Sequence, residues 1–297
     1  MEKRSFKERL KNEYIGQGFA MLCGILIILI TLSIITFIAS KGIKLFSENG
    51  YSVGQFLFKN DWKPNQGNKS SFGALAFILG STLVSLGAVV ISAPIAVSLA
   101  IFVNVISKKV GLQIIKPSLE ILVGIPSVVY GWVGISVLVP LIRDNFKGMG
   151  FSLLTGILVL SLMILPTIAT LAIDAIKTIP HSYIEASYGL GATRWQTIYK
   201  VIVPGAKSGI LTGIVLGVAR AFGEALAVQM VIGNAIKMPD SIFSSMSTLT
   251  SIITMDMANT VEGTAWNNAI WTLALILLII SFIFIVLLRM IERRSDV

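Results

Sequence analysis

Long apolar runs alternate with shorter polar stretches along the whole 297-residue chain. Six apolar segments stand out, at 19–40, 73–103, 114–142, 151–173, 209–232 and 268–290. About 20 apolar residues suffice for an α-helix to cross a bilayer, so each segment predicts a transmembrane helix. The longer ones predict tilt or extension beyond the hydrocarbon. Pro94 and Pro126 fall inside the second and third segments, which is tolerated where neighbouring helices cover the carbonyls a proline frees. The pattern predicts an all-α integral membrane protein with six transmembrane helices. Its parts are an N-terminal segment 1–18, a first helix 19–40, an outer loop 41–72, a five-helix core over 73–290 with a polar loop at 174–208, and a tail 291–297.

Within the polar loop, residues 180–204 divide into two short helices. Ser182 with Glu185, and Thr193 with Gln196, each have the spacing of a capping box, where two side chains satisfy the first free backbone N–H groups reciprocally. Gly191 predicts a bend between the helices, and Pro204 closes the stretch. A polar passage between two charge-free runs predicts a docking surface for a soluble partner. In the outer loop, Phe56, Phe58 and Trp62 read as anchors at headgroup level. Residues 248–257 predict a short helix lying at the interface, with Met246, Met255 and Met257 as apolar filling.

Composition sharpens the class. Hydrophobic residues make up 55%, charged residues 13%, and the mean hydropathy is +0.84. A soluble domain carries about 25% charged residues, so a soluble globular protein is excluded. A net charge of +9 would suggest nucleic acid in a soluble chain, but here the basic residues flank apolar runs, which suits a lipid bilayer. With the N-terminus inside, roughly twice as many basic residues fall on the inner side as on the outer, so both termini are expected in the cytoplasm. Lys41, Lys44, Lys59, Lys63 and Lys69 in the first outer loop run against that trend. Lys3, Arg4, Lys7, Arg9 and Lys11 precede segment 19–40 as in a signal peptide. The run is longer than the ~7–15-residue core of such peptides, which predicts an uncleaved helix. Cys23 is the only cysteine, so the chain forms no internal disulfide.

Enzyme chemistry finds little support. No lysine directly follows a glycine anywhere in the chain, and the Walker phosphate loop requires that pair. His181 and Cys23 are too far apart in the chain to suggest a metal or nucleophile site. The charged residues that stand out are Arg220 and Glu224, inside the fifth segment. A charge at the bilayer centre costs at least ~2.5–3.5 kcal/mol, and the i, i+4 spacing makes the two neighbours on one helix. Gly209, Gly213, Gly217 and Ala221 form a small-residue ladder on the same face, the face that lets another helix approach. Two readings stand side by side: an ion pair that fixes packing, or an arginine that meets a passing anion while Glu224 holds it at rest. Lys116 and Glu120 repeat the spacing and read as a positioning pair near the inner interface.

Glu185-Ala186-Ser187, Gly191 six residues after the glutamate, and Val201-x-Val203-Pro204 resemble the EAA loop of binding-protein-dependent ABC importer permeases. Ser187, Val201 and Val203 depart conservatively from the usual Ala, Ile and Leu. Ile125-Pro126-Ser127-Val128-Val129-Tyr130-Gly131, Leu165-Pro166-Thr167, Gly189 to Trp195, Arg220 to Glu224, Thr248-Leu249-Thr250 and Asp61-Trp62 are similar to the phosphate-specific importer, and within it to the C-type permease. The resemblance covers nearly everything after Tyr14. It implies a MetI-like core with one extra N-terminal helix, in a prokaryotic inner or plasma membrane. It implies that Glu185, Ala186, Ser187, Gly191 and Pro204 couple to an ATPase, and that Arg220 and Glu224 lie on the phosphate path. The implied partners are a second permease, two copies of an ATPase that hold the ATP and magnesium, and an outer phosphate-binding protein. A permease for sulfate or molybdate, a lone secondary transporter or channel, and a membrane scaffold are the alternatives.

Overall fold

The computed structural model describes residues 16–64, 70–146 and 148–293. The basic cluster Lys3 to Lys11, Lys69, Lys147 and the last residues 294–297 lie outside them. The elements are α1 (Gly16–Gly42), α2 (Lys44–Ser47), α3 (Val53–Phe58), β1 (Trp62–Lys63), β2 (Ser71–Phe72), α4 (Leu75–Ile101), α5 (Lys108–Val110), α6 (Lys116–Gly124), α7 (Ser127–Val133), α8 (Val139–Asn145), α9 (Leu153–Lys177), α10 (His181–Gly189), α11 (Arg194–Thr197), α12 (Val203–Gly205), α13 (Lys207–Gly223), α14 (Leu226–Ile232), α15 (Leu249–Asp256) and α16 (Ala265–Arg293). Among the described residues five helical stretches are long and apolar enough to cross a membrane, or six if the bent pair Arg194–Gly205 and Lys207–Gly223 is one span.

α9 is the axis of the bundle. It packs on α4, α13, α14 and α6, and Leu160, Ile164, Ile168 and Ala172 along it are fully buried. α1 is apolar on every side and exposed along most of its length, as suits a helix surrounded by lipid. It meets the bundle only toward its C-terminal end, on α16. There the Thr272 hydroxyl donates to the Gly42 carbonyl at 2.7 Å, and Phe37 meets Trp271 edge-on at 5.3 Å.

Two segments expected as continuous spans are broken. In the third, Ile125 is extended before Pro126, because a proline disfavours helical geometry in the residue before it. Pro126 has no N–H to offer the Leu122 carbonyl, which accepts the Ile125 N–H at 3.3 Å and, from one turn into α7, the Tyr130 hydroxyl at 2.8 Å. The apolar span proper runs from Ser127 to Asn145. Lys116, expected to pair with Glu120, instead reaches Asp174 on α9 at 3.1 Å. The fifth segment breaks at Glu224, with consequences described below.

The outer loop differs most from its expectation. Phe56 and Trp62 are buried (1% and 6% exposed) while Phe58 is exposed. Trp62 packs edge-on against Phe72 and Phe77, with ring centres 5.4 and 5.3 Å away. Its indole N–H donates to Asp256 Oδ2 at 3.2 Å. With Leu45, Leu249, Ile252 and Ile270 these rings form a second apolar core beyond the bundle, so they are interior groups and not lipid anchors. α15 is the short helix expected at 248–257, and it packs on the bundle. Thr248 caps it in a box with Ser251, and its first turn is buried against α4 and α16.

Candidate functional site

Helix α13 ends at Gly223. Glu224 is extended (φ −76°, ψ 124°) and α14 begins two residues later. Arg220 and Glu224 therefore do not share one continuous helix, and among the described residues no ion pair joins them. Arg220 sits in the last turn of α13 and donates to Thr167 Oγ1 of α9 at 2.7 Å. Glu224 turns the other way: its Oε1 accepts the Ala227 N–H at 3.0 Å, in the first turn of α14. Helix C-termini favour cations and N-termini favour anions, so the break gives each charge a helix end of suitable sign. A charged hydrogen bond of this type contributes about 1.5–3 kcal/mol, comparable to the ~2.5–3.5 kcal/mol that a charge costs at a bilayer centre. The break is also held from α15, where the Thr250 hydroxyl donates to the Glu224 carbonyl at 3.0 Å. Arg220 and Glu224 are both half-buried, and Gly223 between them faces open space.

The small-residue ladder faces α9. A Cβ on Gly217 would stand 2.7 Å from both Cδ1 and Cγ1 of Ile168, one on Gly213 would stand 3.1 Å from Leu171 Cβ, and one on Gly209 would collide with Ala175 Cβ. Ala221 is buried on the same helix. This close approach sets the tip of α13 beside Thr167.

The polar loop forms two short helices, α10 and α11. Thr193 and Gln196 make the capping box, with Gln196 Oε1 accepting the Thr193 N–H at 2.8 Å. Ser182 and Glu185 do not. α10 starts at His181 behind Pro180, so Ser182 is already inside the helix. Glu185 instead approaches His181 Nδ1 at 3.3 Å, and both side chains are exposed. Gly191 joins the helices at φ +79°, a left-handed conformation that glycine adopts without steric cost. The Ser187 and Thr197 hydroxyls lie 3.0 Å apart and fix the angle between the two. The loop presents an open groove of about 540 Å³ lined by Tyr183, Ala186, Ser187, Leu190, Gly191 and Lys200. Leu190 at its edge is 89% exposed, an apolar side chain on the polar end of the bundle. Pro204 lies in the first turn of α12, and the chain then bends by 65° into α13.

Arg194 ties this loop to the bundle. Its guanidinium donates to the carbonyls of Val105 and, at 3.1 Å, of Ile106, at the end of the π-helical turn Phe102–Ile106 that extends α4. Last-turn carbonyls lack helix partners, and a cation there is favoured by the dipole as well. Arg194, Thr167, Tyr130 and Thr250 all stood inside the motifs that carried the family resemblance. What sequence could not supply is the partner each one meets.

The chain matches the family described as binding-protein-dependent transport system inner membrane component over residues 92–297. It is 46% identical to the probable ABC transporter permease protein YqgH of Bacillus subtilis, over 99% of this chain and 95% of that one. It is 34% identical to the phosphate transport system permease protein PstC of Pasteurella multocida, over 84% of this chain and 82% of that one. Among solved structures, a chain of a bacterial alginate ABC transporter superposes with TM-score 0.66 at 15% identity, covering 98% of both chains. A chain of the MetNI methionine ABC transporter in an inward-facing conformation superposes with TM-score 0.56 at 22% identity, covering 75% of this chain and 94% of that one. An all-helical bundle with a bent fifth span, a capped double-helix loop and this extent of likeness place the chain in the binding-protein-dependent transport system inner membrane component family, as a permease of the ABC importer type.

Proposed function

We propose that this permease forms one half of the path of an ATP-driven importer of inorganic phosphate. The observation that carries the reading is Arg220. It is a half-buried cation at a helix end, held by a neutral hydroxyl and not by a carboxylate. Among the described residues it has no fixed counter-ion, which leaves it free to take an anion. Similarity to PstC proteins over most of the chain supports phosphate as that anion. A second, similar permease would close the path by covering the exposed apolar face that Val128, Trp132 and Leu226 present beside Tyr130.

The groove between α10 and α11 would seat an ATPase subunit, with Glu185, Ala186, Ser187 and Gly191 at the contact. Two ATPase copies, one per permease, would hold all of the ATP and magnesium. The second apolar core around Trp62 would give an outer phosphate-binding protein a rigid platform. On this reading both termini and the α10–α11 loop lie in the cytoplasm of a prokaryotic cell.

The test is uptake of labelled phosphate by proteoliposomes that contain the chain with its partner permease, ATPase and binding protein. ATP-dependent uptake of phosphate, with sulfate and molybdate excluded, is the expected result. Arg220→Gln should lower it at least tenfold while ATPase association persists. Uptake of sulfate or molybdate in place of phosphate would overturn the substrate assignment. Full uptake by Arg220→Gln would overturn the role of the arginine.

A further inference from the structure

Behind the docking loop lies a second hollow, of about 190 Å³, between α10 and the ends of α4 and α9. Its wall is apolar: Val103, Ile176, Ile184 and Ile202 line it, and Val103 and Ile202 are almost fully buried. Its rim is basic, made by Lys108 and Lys177, with the His181 ring beside them. Neither lysine has an acidic partner among the described residues. The nearby acids are engaged elsewhere, Asp174 with Lys116 and Glu185 with His181. Carbonyls at the end of the Phe102–Ile106 turn would ordinarily repel an anion, but Arg194 occupies those of Val105 and Ile106. Asn104, also in the wall, spends its amide N–H groups on the carbonyls of Ala100 and Ile173, both at 3.0 Å.

Lys108 is the first charge after the span 73–103, and Asp174 and Lys177 are the first two after 151–173, which places the hollow at the boundary between hydrocarbon and headgroups. A free inorganic anion would use the lysines and leave the apolar wall wet. A molecule with a phosphate at one end and alkyl carbons at the other uses both. We propose that this hollow binds the phosphodiester headgroup of an anionic phospholipid, its glycerol and first acyl carbons against the wall. The bound lipid would bridge α10 to α4 and α9, and so stiffen the mount of the docking loop. The inference stands apart from the identity of the transported substrate.

The experiment is native mass spectrometry of the permease assembled with its partner subunits, released from nanodiscs of phosphatidylcholine with one-tenth phosphatidylglycerol. A basic residue beside an anionic headgroup contributes about a factor of five, so Lys108→Gln with Lys177→Gln should cut retained phosphatidylglycerol about thirtyfold. Lys109→Gln with Lys207→Gln removes the same charge outside the hollow and should retain the lipid. Intact assembly of both variants with the partner subunits shows that they fold. Equal retention by all three proteins, or equal loss in both variants, would overturn a specific site. In nanodiscs without phosphatidylglycerol, millimolar inorganic phosphate should bind at neither lysine. Lysine-dependent capture of phosphate there would make the hollow a free-anion site and overturn the lipid assignment.

Discussion

Substituting Gly217 by alanine probes the contact that places Arg220. The added Cβ would stand 2.7 Å from Cδ1 and Cγ1 of Ile168, against the ~3.5–4.0 Å at which carbon atoms settle. Cδ1 could swing away about χ2, but Cγ1 moves only with χ1, which β-branching holds stiffly. Ile168 is fully buried, so it has no empty side to turn into. The helices must part by about 1 Å, and overpacking of this kind costs about 1–3 kcal/mol. Alanine returns about 1 kcal/mol of helix propensity relative to glycine, which leaves a net destabilisation of about 1 kcal/mol. Ile168→Ala alone should cost about 2–5 kcal/mol by leaving a cavity. The double variant places the new methyl in that cavity, so the two changes should couple favourably by about 1–2 kcal/mol. The assay is a double-mutant cycle on unfolding in mixed detergent micelles, followed by circular dichroism. Gly24→Ala on α1, where nothing lies within 4 Å, serves as the control without a clash. Additivity to within ~0.5 kcal/mol would refute the close approach of α13 to α9.

Thr167→Val removes the acceptor that holds Arg220 and should lower phosphate uptake with little change in ATPase association, while Thr167→Ser should restore uptake. Arg194→Ala uncovers two carbonyls at the end of the Phe102–Ile106 turn, at about 1.5–3 kcal/mol for a charged hydrogen bond lost. Hydrogen exchange over residues 105–110 should rise, and ATP hydrolysis should become less dependent on substrate. Trp62→Phe keeps an aromatic ring but drops the bond to Asp256 and leaves part of the buried indole's volume empty, and should cost at least ~1 kcal/mol of thermal stability; Asp256→Asn, which still accepts that bond, should cost less. Lys41 lies 2.5 Å from Glu262 and holds its carboxyl below the usual carboxylate value of 4.5. The pair's contribution is therefore complete above that value and fades as pH falls through the lowered one, so wild type and Glu262→Gln should differ slightly at pH 7 and converge in strong acid.

The spans were legible because apolar length is a one-dimensional property. The breaks in them were legible only in part. Pro126 announced one, since proline constrains its own neighbourhood. Placing Arg220 and Glu224 on one face assumed that the helix continued, and Gly223, directly before Glu224, was the local sign that it does not. What fixes the break is tertiary: the hydroxyl of Thr250, 26 residues away, on the Glu224 carbonyl. Lys116 repeats the lesson, because Glu120 was the near acid along the chain and Asp174 is the near acid in space. For Ser182 and Glu185 the spacing was right and the register was not, as Pro180 moved the helix start one residue ahead of the serine. Thr193 and Gln196 had no such competitor, and their box formed. Trp62 was misplaced for another reason. Aromatic rings suit both headgroups and cores, and only the packing of Trp62 on Phe72 and Phe77 and its bond to Asp256 separate the two.

The break at Glu224 also has a mechanical meaning. α13 is a rod of 17 residues with a 65° elbow at one end and the extended Glu224 joint at the other. Beyond the joint, α14 is pinned, since Met246 bonds to the Ile232 carbonyl and Ser152 to that of Val231. If a partner docks on the α10–α11 loop as proposed, a torque there would turn α13 as a single crank between two pivots, with α14 beyond the joint held still. At 1.5 Å per residue the rod is about 25 Å long; its tip is held by Thr250, so it can roll about its own axis, and a roll of ~30° would carry a side chain ~6 Å off that axis through about 3 Å. Arg220 rides close to that tip, and its bond to Thr167 is 2.7 Å long. A small rotation at the base therefore suffices to exchange one partner of the arginine for another.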